Sequence, residues 1–281
     1  MTFSCFNVAM INFLHTFRPE SILFSIGPLQ VHWYGFLMVV GGLIGLYIVI
    51  KLGEKFDIKK EVFEEAIIYF AIGAVIGARI YYVIYAWEQY RDSFFDIFKI
   101  WQGGLAVHGV MIGGFVGLLL FCRIKKFNFW KLADLGVIAL VVGQIFGRNG
   151  NYFNQEIFGK PTDLPWGIPI DPVFRPEQYV DFAYFHPTFI YEVIGSLVIL
   201  AVLLTFIIRR LKNTTKEIVW GNVFLIYLIL YSILRFNLEF LRVDFSPLVW
   251  GVRWAQIFSV LVVLIVCFGL FLINKKNKKV S

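Results

Sequence analysis

Charge is scarce in this chain. Only 16% of its 281 residues are Asp, Glu, Lys or Arg, against about 25% in a soluble domain. The hydrophobic share of 59%, with 31 phenylalanines, excludes a soluble globular fold and a disordered one alike. Cysteine is scarcer still. Cys5, Cys122 and Cys267 are an odd number at unrelated spacings, which implies neither a disulfide framework nor a metal motif; Cys122 and Cys267 sit in or beside apolar runs and read as small hydrophobes. Paired metal-ligand histidines, a Gly-x-Ser-x-Gly turn and an internal repeat are also missing. No metal and no cofactor is therefore expected, and an enzyme of this kind would receive its nucleophile with a substrate. The first 17 residues hold no Lys or Arg, so they lack the charged start of a signal peptide, and the first span is expected to act as its own insertion signal. The net charge of +7 does not point to nucleic acid, because the basic residues fall in short clusters between apolar runs. That is the topology signal of a polytopic membrane protein, not a binding stripe.

Apolar runs predict seven transmembrane helices, at 29–50, 62–87, 104–122, 133–147, 186–208, 219–241 and 252–273. The expected fold is thus a single all-α, multi-pass domain over residues 1–281. Residues 1–26 read as an interfacial arm. Over 88–103, Tyr90, Phe94, Ile97, Phe98 and Trp101 recur at helical spacing with charges between them, which predicts an amphipathic helix lying in the interface. Residues 150–186 hold five of the nine prolines and read as an extracytoplasmic loop, since proline at that density forbids a continuous helix. The segments 51–61, 123–131, 209–218 and 274–281 carry sixteen Lys and Arg, against seven on the opposite side. Positive-inside logic puts the amino terminus outside and the carboxyl terminus in the cytoplasm. Arg79, Arg148 and Arg235 are left inside or at the edge of spans.

Those arginines and their neighbours define the expected site. Gly143 to Glu156 ends an apolar run with Arg148, then Asn151, Asn154, Gln155 and Glu156, with glycines at 143, 147 and 150 removing bulk around it. An arginine at that depth is costly without a partner and marks function, although a snorkelling helix-end arginine is the bland alternative. Tyr231, Arg235, Glu239 and Arg242 share one helical face; Arg235 and Glu239 could also simply neutralise each other. Two readings of Arg79 stand: a ligand binder, or a partner of Glu192 or Glu239. Arg242, at the rim, is expected to be well solvated. His108 is the expected general base, because imidazole titrates nearest neutrality; His32 and His186 read as structural. With the expected orientation, all of these lie toward the outer face. An excess of positive charge there suits an anionic lipid phosphate, which arginine binds through bidentate hydrogen bonds. A transporter or flippase for an anionic lipid would use the same arginines, but transporters commonly show repeats and midplane sites.

The block Gly147-Arg148-Asn149-Gly150-Asn151-Tyr152-Phe153-Asn154-Gln155-Glu156 resembles the signature of bacterial phosphatidylglycerol–prolipoprotein diacylglyceryl transferases. So do Trp33-Tyr34-Gly35, Gly103-Gly104-Leu105-Ala106-Val107-His108-Gly109, His186-Pro187-Thr188 with Tyr191-Glu192, and Tyr231-x-x-x-Arg235-Phe236-x-x-Glu239-x-x-Arg242. Two departures are visible: the family's His-Gly-Gly is His108-Gly109-Val110 here, and Phe189-Ile190 stands where the family has Gln-Leu. The resemblance implies an enzyme at the outer face of the bacterial cytoplasmic membrane. Its partners would be phosphatidylglycerol, the bilayer and prelipoprotein signal peptides with a lipobox cysteine. It implies Arg148 and Arg235 as the phosphate clamp and His108 as the group that deprotonates or orients the thiol. Tyr34, Asn151 and Glu156 would position lipid and base, and Glu239 would hold the arginines. Arg79, Tyr231 and Arg242 complete the expected substrate-binding set.

Overall fold

The computed structural model describes residues 15–91, 94–212 and 219–277. Residues 1–14 of the expected arm, together with Asp92, Lys216, Lys278 and Lys279, lie outside the described residues. Seven helices carry the apolar runs: α1 (Trp33–Glu54), α2 (Lys60–Tyr85), α3 (Val107–Ile124), α4 (Phe129–Phe153), α5 (Thr188–Lys212), α6 (Asn222–Leu238) and α7 (Trp254–Asn277). Helices α1 to α5 are each long and apolar enough to cross a membrane, because a span needs about 20 apolar residues. Helix α6, at 17 residues, is a shorter apolar helix, as is the stretch Trp254–Leu270 of α7. Side chains such as Ile84, Met111 and Ile265 are two-thirds exposed or more, the arrangement of helices that meet lipid tails. The protein is a multi-pass membrane protein.

The chain divides into two units, Val49–Leu135 and the remainder. In the first, α2 and α3 run antiparallel and back to back. A Cβ on Gly73 would strike the Gly113 carbonyl, and one on Gly77 would meet Gly113 Cα at 2.7 Å. Between apolar helices in lipid, such small residues let backbones approach and gain dispersion contact. Helix α3 ends in a left-handed residue at Lys126 (φ 51°), and Asn128 starts α4 by accepting from the Trp130 and Lys131 amides at 2.8 and 3.3 Å.

The segment expected as one amphipathic helix over 88–103 is different. It forms three short 3-10 turns, Trp87–Gln89, Phe94–Phe98 and Ile100–Gln102. Arg79 supplies the reason. Its guanidinium takes the carbonyls of Asp96, Ile97, Gly103 and Gly104 at 2.6–3.0 Å, so those of Asp96 and Ile97 are drawn away from an α-helical ladder.

In the larger unit the chain enters as an antiparallel hairpin, β1 (Ile22–Ile26) with β2 (Leu29–His32), before α1 begins at Trp33. The first four residues of the expected first span are therefore strand. Trp33 stacks on Phe153 at 4.6 Å, fixing the start of α1 against the end of α4. The proline-rich loop is ordered around its own apolar core of Phe158, Ile168, Ile170, Phe185 and Phe189. Within it β3 (Ile168–Pro169) pairs with β4 (Tyr184–Phe185). The loop also reaches the end of α6, where the Lys160 amide donates to the Leu241 carbonyl at 2.8 Å. A last hairpin, β5 (Leu248–Val249) with β6 (Val252–Arg253), turns through Trp250 and Gly251 and leads straight into α7.

Candidate active site

The larger unit gathers polar groups from α4, α5, α6 and the last hairpin. Arg148 lies in the last two turns of α4. Its Nη2 meets Glu192 Oε1 of α5 at 2.8 Å, and its Nη1 donates to Asn151 Oδ1 at 3.2 Å. Asn151, buried, passes the chain on by donating to Glu156 Oε1 at 2.8 Å, an oxygen that also accepts from Asn154 at 3.0 Å. Glu156 can turn back to Asn151 because the backbone is left-handed on both sides of it, at Gln155 (φ 50°) and Ile157 (φ 57°). That conformation is costly for a β-branched residue, and such strain clusters at functional sites. Asp171 holds the turn in place: its carboxylate accepts from Gln155 Nε2 and its amide donates to Gln155 Oε1, both at 2.7 Å.

Of the three nearby glycines, Gly150 has the clearest steric reason. A Cβ there would lie 2.8 Å from Tyr34 Cδ2, so this glycine lets Tyr34 pack against the last turn of α4. Gly143 faces open space and needs no such explanation.

Helix α6 supplies the second arginine. Tyr231 donates to Glu192 Oε1 at 3.0 Å, the oxygen that Arg148 contacts. One turn on, Arg235 Nη2 lies 2.8 Å from Glu239 Oε2. The contact is short but poorly aligned for a hydrogen bond, so it is an ion pair that leaves Arg235 Nη1 and Glu239 Oε2 buried without hydrogen-bond partners. Glu192 and Glu239 are both 1% exposed. A carboxylate buried that deeply must be paired, since removing one partner of such a pair costs about 3–5 kcal/mol. Tyr227 stacks on Tyr231 at 5.6 Å and accepts from Gln144 Nε2 at 2.8 Å, tying the same face of α6 to α4.

Arg242 corrects its expectation. It is 7% exposed, not a solvated rim residue, and grips Asp244 bidentately at 2.7 and 2.9 Å. Arg79 corrects another. It is buried, spends four hydrogen bonds on main-chain carbonyls and lies 5.1 Å from the Tyr90 ring centroid. It acts as a structural clamp on residues 96–104, while Glu192 and Glu239, its expected partners, pair with Arg148, Arg235 and Arg253.

His108 belongs to the Val49–Leu135 unit. It sits in the first turn of α3, exposed, with its ring stacked on Tyr81 at 5.7 Å. His186 has its Nδ1 3.1 Å from the Tyr191 hydroxyl, which accepts from Trp166 Nε1 at 2.7 Å. Burial pushes its imidazole below the ordinary value.

Three members of the network were not among the expected site residues. Glu192 was visible as an acid near a span end. Gln144 gave no signal beyond a polar residue in an apolar run. Arg253 counted only as a loop charge, yet its guanidinium reaches Glu239 Oε1 at 2.7 Å. No group of three or more His, Cys, Asp or Glu that could hold a metal occurs among the described residues.

The prolipoprotein diacylglyceryl transferase family model matches residues 21–272. The phosphatidylglycerol–prolipoprotein diacylglyceryl transferase of Synechocystis sp. is 40% identical over 260 residues, 92% of this chain and 91% of that one. The protein of the same name from Nostoc sp. is 42% identical over 247 residues, 88% and 86% of the two chains. That from Prochlorococcus marinus is 36% identical over 288 residues, covering 94% of each. The chain belongs to the prolipoprotein diacylglyceryl transferase family.

Proposed function

We propose that this protein transfers the diacylglyceryl group of phosphatidylglycerol to the lipobox cysteine thiol of a prelipoprotein. The carbon–sulfur bond forms as the bond from the diacylglyceryl carbon to the phosphate oxygen breaks. Glycerol phosphate leaves with that electron pair, and the thiol proton passes to a base. The observation that carries this reading is the arginine pair. Arg148 and Arg235 come from different helices, joined through Tyr231 and Glu192, and each is backed by a buried carboxylate. Arg235 Nη1 is a buried donor without a partner, suited to a phosphate oxygen whose negative charge grows as the bond breaks.

The absence of a nucleophile motif in the sequence fits a reaction whose nucleophile is the substrate thiolate. Tyr34, Asn151 and Glu156 line the Arg148 side of the site and position the lipid, while Tyr231 and Glu239 hold the arginines. His108 takes the thiol proton or orients the thiol. The reaction takes place at the outer face of the bacterial cytoplasmic membrane, with seven spans, the amino terminus outside and the carboxyl terminus in the cytoplasm. The distribution of Lys and Arg supports that orientation.

The test is purified protein in vesicles with labelled phosphatidylglycerol and a lipobox peptide. A thioether-linked lipid on the peptide cysteine is expected, with one glycerol phosphate released per peptide. Lipid crossing the bilayer without product would identify a transporter instead. His108 is checked in the same assay. As a base its loss removes one ionisation from the pH profile of turnover, whereas a His108→Gln protein that keeps the wild-type profile at lower amplitude would return His108 to an orienting role.

A further inference from the structure

Three arginines and two carboxylates meet where α6 ends and the last hairpin begins. Asp244 is matched by Arg242 in a bidentate pair. Glu239 is shared: Arg253 Nε meets its Oε1 at 2.7 Å, and Arg235 Nη2 its Oε2 at 2.8 Å. Arg253 is anchored from two more directions, donating to the Arg242 carbonyl at 2.7 Å and the Asp244 carbonyl at 2.5 Å. Its place at the end of β6, directly before α7, gives it a fixed root. The cluster therefore holds three positive and two negative charges. Without Arg253 the pairing would be complete, and Glu239 would neutralise Arg235 alone.

We propose that Arg253 is a positioning residue for Arg235, acting through Glu239: it takes up the charge of the shared carboxylate, so that Arg235 stays a held, uncompensated cation toward an anionic lipid headgroup. This rests on the phosphate-clamp reading of Arg235. The geometry divides the labour. Arg253 turns all three of its nitrogens to Glu239 and the 242–244 backbone, so each is already bonded within the protein. Arg235 has one bond-distance contact to Glu239 and leaves Nη1 unspent. An arginine fits the first role because its planar fork reaches a carboxylate and two carbonyls at once, which an ammonium on a flexible stem does not reproduce.

The experiment measures kcat and KM for phosphatidylglycerol separately, at saturating lipobox peptide, in wild type and four variants. Arg253→Gln is expected to raise KM by about tenfold, a loss of about 1.4 kcal/mol in lipid binding, with kcat changed far less. Arg253→Lys keeps the charge and should fall between Arg253→Gln and wild type. The decisive variant is the double replacement Glu239→Gln with Arg253→Gln, which restores the net charge around Arg235 with two amides that can hydrogen-bond each other. It should recover most of the lost affinity. If the double variant is as weak as Arg253→Gln or weaker, Arg253 only braces the fold and the proposal is wrong. Thermal midpoints measured alongside cover misfolding: a destabilised Arg253→Gln whose folded fraction keeps the wild-type KM would overturn the proposal equally. Arg235→Gln separates the two readings. If it leaves both kcat and KM unchanged, the phosphate clamp itself fails and this proposal falls with it; if it lowers kcat/KM while Arg253→Gln does not, only the proposal fails.

Discussion

At the scale of single residues, what separates the arginines is how much of each guanidinium is already committed. Arg235 contacts one carboxylate and leaves Nη1 unspent, and Arg148 meets Glu192 and Asn151, whereas Arg242 grips Asp244 bidentately and Arg79 spends four bonds on main-chain carbonyls. Arg148→Lys should therefore lower kcat/KM by at least about a hundredfold, the scale of losing a donor aimed at developing charge, with little change in thermal midpoint. Arg242→Lys should do the reverse. It breaks a bidentate pair and should cost about 1–2 kcal/mol of stability, the scale of a hydrogen bond to a charged group after discounting for the exposed side of Asp244. Thermal melts and steady-state kinetics on both variants check this directly. Asp244 adds a pH dependence. Burial pushes its carboxyl up, but the hydrogen bonds and charge of Arg242, with Arg253 and Arg235 beyond, outweigh that and hold it below the ordinary 3.8. A lowered folded value means the pair contributes fully above 3.8 and is lost as pH falls through the lower folded value. Acid melts of wild type should show that loss, and Asp244→Asn should abolish it.

At the scale of elements, the segment between α2 and α3 is held by one side chain. Arg79 gathers carbonyls from Asp96 to Gly104, and the strap so formed leads within four residues to His108. The Ala106 amide then donates to the Ala78 carbonyl at 3.2 Å, docking the start of α3 on α2. Lysine has no planar fork to bridge carbonyls on both sides of the strap. Arg79→Lys is expected to speed amide exchange over residues 97–106 by about tenfold or more, through local opening, and to lower kcat while KM for phosphatidylglycerol holds. A raised KM with unchanged exchange would restore Arg79 as a lipid binder. Gly104→Ala should give the same pattern, because its Cβ would lie 2.6 Å from Arg79 Nη1.

At the scale of the whole molecule, the sixteen-to-seven division of Lys and Arg predicts which loops face the cytoplasm. A single cysteine placed at Pro169, in the ordered proline-rich loop, should react with an impermeant reagent added to intact cells. One at Lys126, between α3 and α4, should react only after permeabilisation. The opposite pattern would invert the depth of every polar group in the site and place the reaction at the cytoplasmic face.

The sequence by itself determined the helical membrane fold, the approximate position of all seven helices and most of the residues that meet in the polar network of the larger unit. Long apolar runs admit few backbone solutions in lipid, because every amide must be paired within its own helix. Charges inside such runs are too costly to be incidental, which is why Arg148, Arg235 and Glu239 could be singled out without coordinates. Only the tertiary structure decided how those charges are shared. Arg79, Arg242 and Arg253 carry the same charge and look alike as residue types, yet one clamps carbonyls, one pairs with its neighbour Asp244, and one takes up half of Glu239 across fourteen residues of chain. The 3-10 strap over 94–102 and the strand at 29–32 escaped periodicity for the same reason. A hydrophobic pattern records which face is apolar, whereas the choice between helix, turn and strand there was made by hydrogen-bond partners outside the segment: a buried guanidinium from the preceding helix in one case and the other strand of a tight hairpin in the other.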